Sequence, residues 1–125
     1  MKTNVYTAIQ VIAGLMLVVF GLNKFLSFIP MSAPSAQMGT FMGALFATGY
    51  LMTIVAVIEI AAGVSFLLNK YAPLMAVVLM PVMLNAFLAH LFLDPSGIAG
   101  ALTLVIFTII IMIRHKGAYT AILKA

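Results

Sequence analysis

The sequence predicts an all-α membrane protein: a bundle of four transmembrane helices, with a short amphipathic interfacial helix between the first and the second. Three observations carry this. Of 125 residues, 66% are hydrophobic and only 6% charged, whereas a soluble chain is about one-quarter charged. Four apolar runs each approach the roughly 20 residues needed to cross a bilayer core. The basic residues gather at the ends of those runs, where they set topology. Two acids and six bases cannot coat a water-facing surface, so residues 1–125 read as a single integral membrane domain.

The first run, 5–22, follows Lys2 and extends as a helix over about 5–29. It outruns a signal-peptide core of about 7–15 residues, and the nearest cleavage-like triplet, Ala33-Pro34-Ser35, contains a proline. An uncleaved spanning helix is expected. The other spans fall at about 50–68, 72–93 and 97–115, joined by the short turns Asn69-Lys70 and Asp94-Pro95-Ser96-Gly97. In the segment 30–49, Met38, Phe41, Met42, Leu45 and Phe46 recur at helical spacing, and Gln37, Thr40, Gly43, Ala44 and Ala47 fill the opposite face. A helix over about 36–47 is too short to span and belongs at the interface.

Lys2, Lys70, Arg114, Lys116 and Lys124 fall on one side once four helices are threaded. By the positive-inside rule, both termini and the Lys70 turn face the cytoplasm. The net charge of +4 is thus explained without an anionic partner, and no basic stripe interleaved with aromatics points to nucleic acid. The absence of cysteine excludes thiol–disulfide exchange, thiolate-bound zinc and iron–sulfur clusters, and leaves the redox compartment undecided.

Lys24, Glu59, Asn85 and His90 are the residues that need explaining. An ionisable group in mid-bilayer costs on the order of 3 kcal/mol on insertion scales and needs a partner or a purpose. Counting about 1.5 Å per residue, Glu59 and Asn85 lie about 13 Å below the outer ends of their helices, His90 about 6 Å and Lys24 about 7 Å. Gln10, Gly14, Leu17, Gly21 and Lys24 share one face of the first helix; Thr53, Ala56, Glu59, Gly63 and Phe66 share one face of the second. Small and polar stripes of this kind face other helices. On the third helix Pro81 and Asn85 share a face, and His90 is rotated roughly 140° from Asn85. Two explanations stand: a polar ligand-binding pocket in the outer half of the bilayer, roofed by the amphipathic segment, or a buried ion pair plus interhelical hydrogen bonds.

Other residues carry less. His115 beside Arg114 and Lys116 reads as interfacial, and Asp94 as a turn or cap residue. His90 and His115 fall near opposite faces, which rules out shared haem ligation. Ten methionines scattered through the helices read as apolar filler, and no metal site is expected. Gly39-x-x-x-Gly43 is a packing motif of low specificity.

Gly21-Leu22-Asn23-Lys24-Phe25, then Glu59-Ile60-Ala61-Ala62-Gly63 with Leu67-Leu68, then Pro73, Pro81, Asn85 and His90-Leu91-Phe92 occur in order along nearly the whole chain. This ordered set resembles the DoxX-like family of small four-helix bacterial membrane proteins. The resemblance implies an inner-membrane location and a link to redox systems, the family being named for a subunit of a thiosulfate–quinone oxidoreductase. The leading expectation is an accessory membrane subunit of a quinone-linked system. In it Lys24 and His90 bond a quinone carbonyl, and Glu59 and Asn85 form the deeper wall. The alternatives are a proton-coupled small-molecule carrier, working as a homo-oligomer and specifically a homodimer, and a non-catalytic assembly factor binding other membrane or redox-complex subunits. Whether the chain catalyses a reaction is left open.

Overall fold

The computed structural model describes residues 2–30 and 33–125. Its helices run α1 (Thr3–Leu26), α2 (Ala36–Ala47), α3 (Leu51–Leu68), α4 (Ala72–Leu93) and α5 (Ile98–Arg114), with short 3-10 turns at Pro95–Gly97 and Lys116–Tyr119. Four stretches, Thr3–Leu26, Leu51–Leu68, Ala72–Leu93 and Pro95–Arg114, are long and apolar enough to cross a membrane. Their outward faces carry exposed Ile12, Leu15, Val57, Leu84 and Ile106, among others. Such surfaces are stable against lipid and not against water, so the chain is a multi-pass membrane protein.

The interfacial helix and the third span fall where the periodicity puts them. The first span is corrected: it stops at Leu26, three residues before the expected end. Ser27 turns left-handed at φ 50°, and the Asn23 side chain accepts the Ile29 N–H at 2.7 Å. A local side-chain bond thus replaces the next helical one. The last span similarly begins at Ile98, because Pro95–Gly97 forms a tighter turn. The segment expected to join the first helix to the interfacial one passes through residues 31 and 32, which lie outside the described residues.

Helix α1 packs on α3 and α5, and α4 packs on the same two, which closes a four-membered ring. The termini and the α3–α4 turn share one end; the opposite, distal end carries α2, which rests on α3 and α4. Ser35 ties α2 there. Its hydroxyl accepts the Met38 N–H at 3.1 Å as the helix cap and donates to the Leu93 carbonyl at 2.7 Å, and its N–H donates to Asp94 Oδ2 at 3.1 Å. The buried side of α2 is Met38, with Phe41, Met42 and Leu45 half-buried and Gln37 and Thr40 exposed.

The closest approach is between α1 and α3. A Cβ at Gly14 would lie 2.9 Å from the Gly63 carbonyl oxygen, one at Gly63 would lie 2.7 Å from the Gly14 carbonyl oxygen, and one at Gly21 would meet Ile60 at 2.6 Å and the Ala56 carbonyl oxygen at 3.2 Å. Lipid gives apolar helices no hydrophobic reason to associate, so van der Waals fit at small residues holds them. Because the clashing atoms at Gly63 are largely backbone, side-chain rearrangement cannot absorb a methyl group. Gly63→Ala is expected to destabilise the bundle by about 2 kcal/mol in thermal unfolding in micelles. Gly43→Ala, inside α2 with nothing within 4 Å of the added carbon, is expected to cause no loss, since alanine favours a helix over glycine.

Candidate functional site

Lys24 and Glu59 meet: Lys24 Nζ donates to Glu59 Oε2 at 2.7 Å, with the Glu59 side chain 7% exposed and that of Lys24 23% exposed. Helix direction explains how residues at different depths reach each other. Side chains lean toward the N-terminus of their own helix. Lys24, in the last turn of α1, therefore leans inward from the distal end. Glu59, on the antiparallel α3, leans outward to meet it. The lysine stem spans the remaining depth while its ammonium stays at the mouth.

Lys24 also borders a cavity of about 280 Å³, lined with it by Phe25, Phe46, Gly49, Tyr50, Met52 and Thr53. The cavity sits where α1 ends, α2 ends and α3 begins. Gly49 at φ 80° takes the left-handed turn between α2 and α3, a conformation that favours glycine. Three aromatic rings, a thioether and one threonine surround a single cation. Such a lining suits a flat, weakly polar or anionic head group whose apolar remainder stays in lipid.

The other two expected site residues lie elsewhere. Asn85 is exposed on the outer face of α4 and its amide has no hydrogen-bond partner among the described residues. Asn85 points away from the bundle, on the side of α4 opposite its buried residues. His90 is part of the α4–α5 turn: its Nδ1 donates to the Asp94 carbonyl at 3.3 Å, and its ring lies so close to Gly97 that a Cβ there would sit 2.7 Å from Cε1. Asp94 is held below the ordinary carboxylate range, first by the Ser96 hydroxyl and then by the Ser35 N–H. Of the four expected site residues Lys24 alone borders the cavity; Glu59, Asn85 and His90 do not. Thr53, expected in the helix interior, is exposed and does border it. Phe25, Phe46 and Tyr50 were not expected as site residues; Phe46, placed by periodicity on the apolar face of α2, is exposed. Their signal was the gathering of aromatic residues at the distal ends of three consecutive segments.

A second polar centre lies at the terminal end. Gln10, only 2% exposed, uses its whole amide. Nε2 donates to the Phe66 carbonyl at 3.0 Å and to Asn69 Oδ1 at 2.9 Å, and Oε1 accepts from Arg114 Nη1 and His115 Nε2, both at 3.1 Å. Arg114 also donates to Thr7 at 3.2 Å. The turn that offers Asn69 is shaped by two left-handed residues, Asn69 at φ 51° and Tyr71 at φ 59°. The Lys70 N–H bonds back to Ser65 O at 3.1 Å, a helix-ending arrangement that brings the Asn69 amide over the α3 C-terminus. His115 is therefore more than an interfacial residue. It joins α5 to α1, and its imidazole is held below its ordinary value of 6.5 by burial and by the adjacent Arg114. No cluster of three or more histidine, aspartate or glutamate side chains able to hold a metal occurs among the described residues.

No family model, curated protein or solved structure matches this chain.

Removing one member of the Lys24–Glu59 pair strands the other, and that costs more than removing both. Glu59→Leu and Lys24→Met are each expected to destabilise by about 3 kcal/mol, and the double variant to recover most of that loss; thermal unfolding of all four proteins in one detergent decides it. At the other end, the unfolded chain takes up the His115 proton more readily than the folded one. Its contribution is then complete above about pH 6.5 and declines as pH falls toward the lower folded value. Melting curves between pH 5 and 8 are expected to show this acid-side loss, and His115→Gln to flatten it.

Proposed function

We propose that the chain binds a quinone, or a closely similar amphiphile with a carbonyl-bearing ring, in the distal cavity, as an accessory membrane subunit of a quinone-linked redox system. The supporting observation is that Lys24, whose ammonium pairs with Glu59 at 2.7 Å, is the one charged residue lining an aromatic cavity. A lysine has three N–H donors; one is spent on Glu59, and the others can serve a quinone carbonyl or the anionic oxygen of its reduced form. Phe25, Phe46 and Tyr50 offer faces to a flat ring. A volume of about 280 Å³ suits one ring head group with its hydrocarbon tail left in the bilayer, just below the about 300 Å³ at which compact ligand sites begin.

The resemblance of the Gly21–Phe25 and Glu59–Gly63 segments to the DoxX-like family supports the same reading. It extends it to a bacterial inner membrane with cytoplasmic termini, in which the distal cavity opens toward the outer leaflet. Lys24 is the ligand-binding residue on this reading and Glu59 positions it; Asn85 and His90 have other surroundings. A cation carrier is disfavoured by the same pair. The chain has only two acidic residues: Glu59 is neutralised by Lys24, and Asp94 is bound to Ser35 and Ser96.

The test uses a short-chain benzoquinone and the tyrosine fluorescence of a chain that contains no tryptophan. Titration into the purified protein in detergent is expected to quench Tyr50 saturably. Lys24→Met is expected to weaken binding at least about tenfold, the loss of one charge-assisted hydrogen bond. Phe46→Ala should weaken it less. Non-saturable quenching by the wild type, or equal affinity in Lys24→Met, would remove the proposal.

A further inference from the structure

The amide of Asn85 lies in the wrong solvent for a single copy of this chain. It is nine residues from Asp94 and thirteen from Ala72, about 13 Å and 20 Å from the two ends of α4, and thus deep in the hydrocarbon. It is exposed, without a partner among the described residues. Its orientation is set by the packed side of α4: Ala72, Ala76, Leu79 and Met83 are buried, and two residues beyond Met83 the helix has turned by about 200°.

The residues sharing the outward face with Asn85 are Leu74, Val78, Pro81, Leu88 and Phe92, spaced alternately four and three apart and all exposed. Each spanning helix has an outward face of this spacing. Those of α1 (Ile12, Leu15, Val19, Leu22), α3 (Ile54, Val57, Ala61, Val64) and α5 (Leu102, Ile106, Ile109) are apolar at the same depths. Only α4 puts a carboxamide at mid-depth on the lipid side.

We infer that this face of α4 is the interface of a homodimer, in which Asn85 of one copy hydrogen-bonds Asn85 of the other. Two copies inserted with the same topology relate by a two-fold axis along the membrane normal, so equivalent residues of the two α4 helices meet at one level. A carboxamide is self-complementary: it donates through nitrogen and accepts through oxygen, so two related copies satisfy each other. No lipid group at that depth offers a hydrogen bond, and a second protein would need a matching polar group at the same height. The four-three spacing is that of a packed helix seam, in which one buried asparagine sets register and stoichiometry. Pro81, one turn from Asn85, adds to the seam without adding an unpaired N–H, since it has none.

The chain contains no cysteine, so single cysteines report proximity cleanly. Leu88→Cys and Val78→Cys, on the seam, are expected to form disulfide-linked dimers in liposomes at low protein density under a mild oxidant. Ile106→Cys on α5 and Leu15→Cys on α1 are expected to stay monomeric. Adding Asn85→Leu to Leu88→Cys should lower the dimer yield about 3- to 10-fold, as expected for one interhelical hydrogen bond in lipid, and Asn85→Gln should restore it. Equal yields at all four positions, no cross-link at Leu88→Cys, or a yield indifferent to Asn85→Leu would each overturn the inference. Unlinked Leu15→Cys and Ile106→Cys proteins that migrate as one folded species show that the bundle is intact.

Discussion

The contact between the backbones of α1 and α3 at Gly14 and Gly63 sets the geometry on which the rest of this structure depends. With carbonyl oxygens only 2.7 and 2.9 Å from where a Cβ would stand, neither position has room for a methyl group. That proximity aligns Gly21 with Ala56 and Ile60, and it carries Lys24 within reach of Glu59 one turn further out. A wider separation would leave a carboxylate in hydrocarbon with no cation to meet it. In lipid, packing and hydrogen bonding must do what water exclusion does in a soluble core.

The bundle resolves its polar groups at two levels. At the distal end the lysine–glutamate pair sits beside an aromatic cavity, and at the terminal end Gln10 joins three helices through one fully used amide. The two differ in what they leave over. Gln10 has no spare donor or acceptor, so it is a fastener. Lys24 keeps donors free and remains partly exposed, so it can also receive a ligand. This contrast, more than the presence of charge, separates a structural polar group from a site.

Asn85 is a third case. It is exposed and has no hydrogen-bond partner among the described residues, which is the basis of the proposed dimer. His90 went the other way: a ring that could have faced the cavity is instead folded onto Gly97 and the Asp94 carbonyl, where it closes the α4–α5 turn.

Composition and the length of the apolar runs determined by themselves that this chain crosses a membrane four times, since hydrocarbon admits few other arrangements of so apolar a sequence. The 3.6-residue period was enough to put Gln10, Gly14, Leu17 and Gly21 on one buried face and Ala56, Glu59, Gly63 and Phe66 on another. Position along each helix was legible too, because rise per residue is nearly constant. Rotation was not. Which side of α4 faces its neighbours depends on the sum of its contacts with α3 and α5, and every side of that helix is apolar enough to be buried. Only the tertiary structure could therefore turn Asn85 outward, fold His90 into a turn and assemble the Phe25–Phe46–Tyr50 cavity from three helix ends. The sequence sets how far along its helix a polar residue lies; helix-to-helix packing sets what it faces.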